Sequence, residues 1–313
     1  MNFLKKILIS YLQKENLKIQ NILNNLLKDK KFIFLDIGAA EGIPKRWKLV
    51  EKFVNKILIE PHPESAKELR EAGYDVIDKV LYSKSKIDLN FNHANKEMCS
   101  SFLEPNLEHL DKFLNSERFY INKKTNFLSS TLDEELIKIN KKPHFIKIDT
   151  EGTEIEILKG SSECLKNLLG MEIESSFFQL RKNQPLISDV MKFLSTDQFE
   201  FVDFLSIIRW EKYNYRFTGQ PQISDLLFLI KPEIIYKKFI ENIYSRDDLI
   251  NYITILIVYL RSDYLLYLNN KSEIKEEIPE LVGICKLVEN KINKINLIEK
   301  YSYILKHKIY NNL

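Results

Sequence analysis

The sequence predicts an α/β protein with a doubly wound, mainly parallel seven-stranded sheet, an N-terminal helix and a C-terminal all-helical extension. From Phe32 to Lys231, short apolar segments alternate with amphipathic ones, which is the pattern of strands that alternate with helices. At least three of the apolar segments end directly in an acidic residue, as is typical of the sheet edge where open α/β folds bind their ligands. After Lys231 the strand-like segments stop, and apolar residues recur at helical spacing.

The order of the elements follows from these patterns. Residues 1–28 place apolar side chains on one face of a helix, so 1–30 is predicted to be an N-terminal amphipathic helix. Residues 31–231 form the predicted sheet domain and 232–313 the helical extension, with Pro279 as its main internal break. In the sheet domain, strands are expected at 32–36, 56–60, 74–80, 144–149, 169–174, 199–205 and 224–230, with helices near 43–54, 63–72, 153–167 and 186–196.

One stretch of this domain interrupts the alternation. The segment 87–91 alternates with period two and indicates another short strand, but residues 92–143 show no regular period. Within them, 93–101 is expected to be a loop. Long loops in a compact domain are commonly functional, often as lids over a site.

Composition and charge exclude several classes of protein. Hydrophobic residues make up 44% of the 313 residues and charged residues 29%, as in an ordinary soluble globular protein. The net charge of +3 gives no basic face for nucleic acid, and no apolar run approaches the roughly 20 residues of a membrane span. Three widely spaced cysteines without a metal-binding pattern indicate reduced thiols in a cytoplasmic protein.

Two strand ends predict where a ligand binds. The turn Asp36-Ile-Gly-Ala-Ala-Glu-Gly42 differs from the G-x-G-x-x-G fingerprint that places a pyrophosphate on a helix. Its acid suits an ammonium or sulfonium centre better, and Gly38 lets the backbone approach a ligand closely. Glu60 ends the second strand, where an acid accepts hydrogen bonds from the ribose hydroxyls of an adenosyl ligand. The alternative for Glu60 is a solvated cap at a strand end.

A further motif supplies candidate acid–base groups. Residues 145–160 predict a strand that stops at Asp149 and a helix that follows at once, so Asp149 and Glu151 lie just past the strand's carboxyl end. A carboxylate within hydrogen-bond reach of a hydroxyl can act as its general base. Alternatively, Asp149 binds the amino group of a cofactor, and Glu151 only stabilises the first turn of the helix. With Glu172, these acids also offer oxygens to a divalent cation, but no spacing demands a metal.

These motifs together resemble the FkbM-type S-adenosylmethionine-dependent methyltransferases over about residues 30–230. The resemblance rests on segments 34–42, 59–64, 131–134, 146–160 and 171–174, and Ile146-Lys-Ile-Asp-Thr-Glu-Gly-Thr-Glu-Ile-Glu-Ile-Leu-Lys-Gly160 is a highly specific motif. It implies a Rossmann-like class I methyltransferase fold, S-adenosylmethionine as the cofactor, and O-methylation, commonly of a sugar or another secondary-metabolite hydroxyl.

The resemblance also implies roles for single residues. It places the methionine end of the cofactor against Asp36, Gly38, Ala39 and Gly42, the ribose against Glu60, and the adenine amino group against Asp78. It places Asp149 beside the transferred methyl group, and Asp149 and Glu151 are the candidate catalytic residues. Glu174 stands where many family members have a histidine or another residue, so no base is expected on that strand.

The predicted function is therefore O-methylation of a sugar, nucleotide-sugar or glycan precursor by S-adenosylmethionine. Two other functions stay open. One is an NAD-linked oxidoreductase, whose G-x-G-x-x-G is absent here, and the other is a non-catalytic nucleotide-binding module that assembles a complex. Because the apolar faces of 234–313 have to be buried, a homo-oligomer, most simply a dimer, is expected through this extension.

Overall fold

The computed structural model describes residues 2–28, 32–39, 44–195, 198–213 and 219–310. The chain divides into two compact units. The sheet unit comprises Phe32–Ile43 and Asn55–Lys231, and the helical unit comprises Met1–Lys31, Pro44–Val54 and Pro232–Leu313. The predicted Gly42 lies outside the described residues.

The described residues form eleven strands. They are β1 (Phe32–Ile37), β2 (Val54–Ile59), β3 (Asp75–Ile77), β4 (Val80–Leu81), β5 (Asp88–Ala94), β6 (Ile121–Ser130), β7 (Phe145–Ile148), β8 (Gly170–Ser176), β9 (Phe199–Phe204), β10 (Ile208–Trp210) and β11 (Gln220–Ile230). Eight of them form the main sheet in the order β10-β11-β8-β7-β1-β2-β3, with β9 also paired to β11.

The main sheet confirms the predicted fold class. β7 pairs in parallel with both β1 and β8, and β2 with β3, whereas β11 runs antiparallel to β8. β9 and β10 both pair with β11 on the edge that β8 leaves open, so together they fill one position. The sheet is therefore seven positions wide and mainly parallel. Its central strands are almost continuous apolar runs because both faces of a parallel sheet are covered.

A second, three-stranded sheet in the order β4-β6-β5 corrects the sequence analysis. The strand predicted at 74–80 ends at Ile77, and Val80 and Leu81 belong to this second sheet as β4. β6 and helix Leu132–Ile139 lie in the second half of the stretch 92–143, in which no regular element was expected. The predicted loop 93–101 begins inside β5 and contains a short 3-10 helix, Glu97–Cys99. β6 was missed because seven of its ten side chains are polar and only Ser129 and Ser130 at its end are buried, so its sequence lacks an apolar side chain at every second position.

Twelve α-helices complete the described chain. They are α1 (Asn2–Leu27), α2 (Pro63–Glu71), α3 (Leu107–Leu110), α4 (Leu132–Ile139), α5 (Glu154–Lys159), α6 (Ser162–Asn167), α7 (Ile187–Leu194), α8 (Pro232–Ile240), α9 (Arg246–Val258), α10 (Ser262–Asn269), α11 (Ser272–Glu277) and α12 (Leu281–Tyr310). Further 3-10 helices are Lys45–Leu49, Glu51–Phe53 and Ser116–Phe119.

Two predicted helices differ from the observed ones. The helix expected near 43–54 is a pair of short 3-10 helices that begins after Pro44. The helix expected at 153–167 is broken into α5 and α6 at Gly160, where a Cβ would lie 2.3 Å from the carbonyl oxygen of Tyr82. A glycine is required at this break because any side chain would collide with the neighbouring backbone.

The helical unit has its own core. Ten successive residues of α9, Leu249 to Val258, are buried, so this helix forms the inside of a helical bundle. α1 and α12 are joined by a hydrogen bond of 3.0 Å from Lys291 to Asn16, and the Trp47 indole lies 3.3 Å from the hydroxyl of Tyr259. None of the helices in the described ranges has the length and apolar character that a membrane crossing requires.

Candidate functional site

A row of charged side chains crosses the middle of the main sheet. Asp36 on β1 is paired in register with Lys147 on β7, which is paired in turn with Glu172 on β8. Asp149 and Glu174 follow Lys147 and Glu172 by two residues, and side chains two residues apart on a strand share one face. The pleat of the sheet therefore gathers acids from three strands at their carboxyl ends, where the sequence predicted a ligand.

Asp36 is the most deeply buried of these acids. Its side chain is 0% exposed, and neither carboxylate oxygen has a hydrogen-bond partner among the described residues. Lys147 Nζ lies 3.9 Å from Oδ1, which is an ion pair but not a hydrogen bond. Burial raises the pKa of Asp36 to about 7. Lys147 opposes this rise, and the neighbouring acids increase it. Asp36 is thus a buried carboxylate that still lacks hydrogen-bond donors.

Lys147 is shared between two acids. It donates a hydrogen bond of 2.8 Å to Asp149 Oδ2 while it faces Asp36. Burial by itself lowers the pKa of Lys147, but Asp149 and Asp36 outweigh burial and hold the pKa above its ordinary value. The lysine therefore stays charged and supplies one positive charge for two carboxylates.

The turn after β7 is fixed from several sides. Gly38 has φ +84°, and a Cβ there would lie 1.9 Å from the carbonyl oxygen of Asp149, so a glycine is required where the two strand ends meet. Glu151 itself has φ +60°. The buried carboxylate of Glu154 accepts hydrogen bonds from the backbone N–H groups of Thr150 at 3.1 Å and Gly152 at 2.9 Å. The position of Glu151 is therefore set by the backbone.

Glu151 is also held by its side chain. Its carboxylate forms a close ion pair with Arg181, a fully buried residue that also donates a hydrogen bond of 3.1 Å to the carbonyl oxygen of Cys99. Ser101 Oγ donates to the backbone carbonyl of Glu151 at 2.8 Å. Burial raises the pKa of Glu151, and Arg181 opposes that rise. The segment that was expected to be a free loop is thus fastened to this turn.

Glu174 belongs to the site, although the sequence predicted no base on its strand. One carboxylate oxygen from each of Asp149, Glu151 and Glu174 lies within 4.8 Å of the others. Burial, followed by the charges of Asp149 and Glu151, raises the pKa of Glu174 well above its ordinary value. The period of two in Met171-Glu-Ile-Glu174 was the available signal, since it puts Glu174 on the same face as Glu172.

The cluster differs from the set of metal ligands considered from the sequence. Glu174, rather than Glu172, joins Asp149 and Glu151. Two of these three carboxylates are already paired with cations of the chain, Lys147 and Arg181. We therefore assign no metal ion to the cluster.

The remaining predicted residues lie around the neighbouring strand ends. Glu60 follows β2, is 6% exposed, and accepts a hydrogen bond of 2.8 Å from the backbone N–H of His62. Burial raises the pKa of Glu60, and the bond from His62 opposes this rise. The backbone of Ala39, like that of Gly38, donates to the carbonyl oxygen of Ile59, at 3.4 Å. These contacts join the ends of β1 and β2 in one site.

Asp78 has a partner of its own. It lies just past β3 and forms an ion pair of 2.9 Å with Arg70 on α2, with about half of its side chain exposed. The hydrogen bond from Arg70 lowers the pKa of Asp78. Contact with an adenine amino group stays a prediction for this residue.

The net charge of the site determines what it can bind. The site holds two cations, on Lys147 and Arg181, and a larger number of carboxyl groups, on Asp36, Asp149, Glu151, Glu172 and Glu174. The pKa values of Asp36, Glu151 and Glu174 are raised, so a cationic ligand would favour the ionised forms of these acids. Opposite charge stabilises such a site, and a further anion would be repelled. The arrangement therefore favours a positively charged ligand next to Asp36 and provides a carboxylate that can take up a proton.

Comparison with known proteins assigns a family. A family model described as "Methyltransferase FkbM domain" matches residues 36–217. No curated protein matches the sequence.

Several solved structures match the chain at low sequence identity. M. capricolum TrmK in complex with S-adenosyl-homocysteine is 11% identical, with 87% of this chain and 97% of that chain covered and a TM-score of 0.31. The magnesium protoporphyrin IX methyltransferase of Synechocystis PCC 6803 with bound SAM is 11% identical, with 69% and 83% covered and a TM-score of 0.31. An rRNA methylase from Streptococcus thermophilus is 9% identical, with 67% and 96% covered and a TM-score of 0.29.

Proposed function

Since the chain belongs to the FkbM methyltransferase family, we propose that it transfers a methyl group from S-adenosylmethionine to a hydroxyl oxygen of a sugar, nucleotide-sugar or glycan precursor. The observation that carries the proposal is the pair of unpartnered oxygens on the fully buried Asp36. A carboxylate without donors in a site of excess negative charge calls for a ligand that brings positive charge and N–H groups.

The residues present fit this cofactor. Asp36 offers two free acceptor oxygens to an ammonium group, and Glu60 offers the remaining acceptor capacity of its carboxylate to the ribose hydroxyls. Gly38 and Ala39 line the same strand end, and Asp78 is the candidate for the adenine amino group. The cofactor supplies a methyl group that is already activated by its sulfonium centre.

The chain's own contribution is positioning and proton transfer. Alignment of an acceptor oxygen with the methyl group supplies much of the rate of such a reaction. A sugar hydroxyl also has to lose its proton, and a carboxylate at the strand ends acts as the general base, worth about 10²–10⁴-fold. Asp149 and Glu151 are the candidates from the sequence. The charge of Asp149 acts on Asp36, and Glu151 lies in the same carboxylate cluster as Asp149, which supports a role in catalysis.

Calorimetry tests the cofactor. S-adenosylhomocysteine and S-adenosylmethionine are expected to bind with measurable heat and to raise the melting temperature, because a ligand that binds only the folded state stabilises it. NAD is the matched control, since it shares the adenosine and carries a pyrophosphate. Heat with NAD and none with S-adenosylhomocysteine would contradict the proposal.

Mass spectrometry tests the reaction. A panel of nucleotide-sugars and sugar phosphates is incubated with the protein and S-adenosylmethionine, with and without added Mg²⁺, and searched for the gain of one methyl group. We expect one class of hydroxyl acceptor to be methylated. Cofactor binding without transfer to any acceptor would favour the non-catalytic binding module instead.

A further inference from the structure

The three carboxylates at the ends of β7 and β8 differ in their partners. Asp149 accepts the hydrogen bond from Lys147, and Glu151 forms the ion pair with Arg181. The carboxylate of Glu174 has neither a hydrogen bond nor an ion pair with any residue in the described part of the chain, although it lies within 4.8 Å of the other two. Only one of the three is therefore free to exchange a proton without breaking a contact.

We propose that Glu174 is the general base of the methyl transfer, and that Asp149 and Glu151 are ion-paired positioning groups beside it. This inference rests on the proposed function, because it concerns the proton that the acceptor hydroxyl gives up. Protonation of Asp149 or Glu151 would weaken its attraction to Lys147 or Arg181. Protonation of Glu174 weakens no such contact.

The charged groups around Glu174 favour uptake of a proton by its carboxylate. The end of β7 contributes Asp149, the turn after it Glu151, α5 Glu154, and β11 Asp225, which is the register partner of Glu174. All of these groups are acidic, and the site's cations are engaged by the other two carboxylates. A proton on Glu174 relieves this repulsion and the cost of burial together.

The methyl transfer forms one carbon–oxygen bond and breaks one carbon–sulfur bond. The acceptor oxygen forms a bond to the methyl carbon while the bond between that carbon and sulfur breaks, and the bonding pair stays on sulfur. The proton of the acceptor hydroxyl passes to the Glu174 carboxylate, and the resulting carboxylic acid later releases it to solvent. The products are the methyl ether, the neutral thioether and one proton, so no oxidant or reductant is needed.

Single-turnover kinetics test the assignment with the acceptor found in the panel. Glu174→Gln is expected to lower the rate at saturating cofactor by about 10²–10⁴-fold, with cofactor affinity little changed. Glu163→Gln is the matched control. Glu163 is an exposed residue of α6 whose carboxylate forms an ion pair with Lys166, and the variant should keep the wild-type rate. Asp149→Asn and Glu151→Gln should cost less than Glu174→Gln at saturation.

The pH dependence supplies a readout that a structural role would not move. A base has to be ionised to act, so the wild-type rate should rise with pH through the pKa of Glu174 and then level off. Glu174→Gln should lose this rise, whereas Asp149→Asn and Glu151→Gln should keep it. Far-UV circular dichroism and melting temperature confirm that each variant is folded.

Proton release on cofactor binding tests Glu174 without any acceptor. Titrations in two buffers of different ionisation enthalpy give the protons released by S-adenosylmethionine and by S-adenosylhomocysteine. The sulfonium charge of the first should favour the ionised form of Glu174, so wild type should release more protons with S-adenosylmethionine. Glu174→Gln should abolish this difference, and Glu163→Gln should retain it.

The outcomes separate this inference from the proposed function. Methylation by the wild type together with a near-wild-type rate and an unchanged proton release in Glu174→Gln would overturn the assignment and leave the function standing. A rate that EDTA abolishes and Mg²⁺ restores would also overturn it, because the carboxylates would then serve a metal. Absence of cofactor binding by the wild type would instead refute the function.

Discussion

Replacing Asp36 with asparagine should stabilise the ligand-free protein at alkaline pH. Burial raises the pKa of this carboxyl from 3.8 to about 7. The folded chain therefore binds the proton more tightly than the unfolded chain does. The contribution of Asp36 to stability is highest below about pH 4, falls as pH rises towards 7, and stays low above that value.

The magnitude follows from the difference between the two pKa values. The interval of about 3 between 3.8 and about 7 corresponds to about 4 kcal/mol, at 1.36 kcal/mol for each pH unit. An asparagine cannot ionise, so it removes this cost, although its buried amide adds a penalty of about 1–3 kcal/mol that does not depend on pH. The stability of Asp36→Asn relative to wild type should therefore rise by about 3 kcal/mol between pH 4.5 and pH 8.

Urea unfolding followed by circular dichroism at both pH values measures this difference. Asp78→Asn is the matched control because Asp78 is half exposed and its pKa is lowered by Arg70. Its relative stability should fall, not rise, as pH increases through the acidic range. If the stability of Asp36→Asn, relative to that of Asp78→Asn, does not increase between the two pH values, Asp36 is not the buried carboxylate without hydrogen-bond donors that supports cofactor binding.

Three further results are expected. Glu60→Ala should weaken S-adenosylhomocysteine binding by roughly 1.5–3 kcal/mol in calorimetry, since a charged acceptor of hydrogen bonds is lost, while the melting temperature of the free protein changes little. Asp133→Ala should lower the free energy of unfolding by about 0.5–2 kcal/mol, because Asp133 accepts hydrogen bonds from the backbone N–H groups of Glu163 and Cys164 at the start of α6. Light scattering at micromolar concentration should give the mass of a dimer, and a monomer mass would contradict the oligomer expected from the apolar helices of 234–313.

The parts of the fold that follow from local patterns were predictable from the sequence. The apolar runs that became β1 and β7 each end at an acid, and the parallel order of the sheet brings these ends together. The resemblance to the family was also visible in short motifs and was confirmed by the match over residues 36–217. These strands and motifs could be identified because each depends on residues that are close together in the sequence.

Features that depend on distant partners were not predictable in this way. β6 is a strand because β5 pairs with it along its length, and its own side chains are largely polar. The free carboxylate of Glu174 is a property of which residues meet Lys147 and Arg181. Register between β7 and β8 places Lys147 opposite Glu172, and the lysine donates its hydrogen bond to Asp149, while Arg181 pairs with Glu151. These partners come from different strands and turns, so the residues next to Glu174 along the chain do not reveal them.

Charge, more than the spacing of glycines, determines which adenosine ligand this site accepts. Under the proposed function, the cofactor brings an ammonium and a sulfonium group to Asp36 and its neighbours, whereas NAD would bring a pyrophosphate. Two unit charges 4 Å apart interact with roughly 4 kcal/mol at an effective dielectric constant of 20, so the sign of the ligand's charge outweighs most single contacts. The same excess of acid destabilises the empty site at neutral pH, because Asp36 is buried without donors. The repulsion that destabilises the empty site is relieved when a cationic ligand binds. The pH-dependent stability of the free protein therefore measures the same electrostatic energy that favours a cationic ligand over an anionic one.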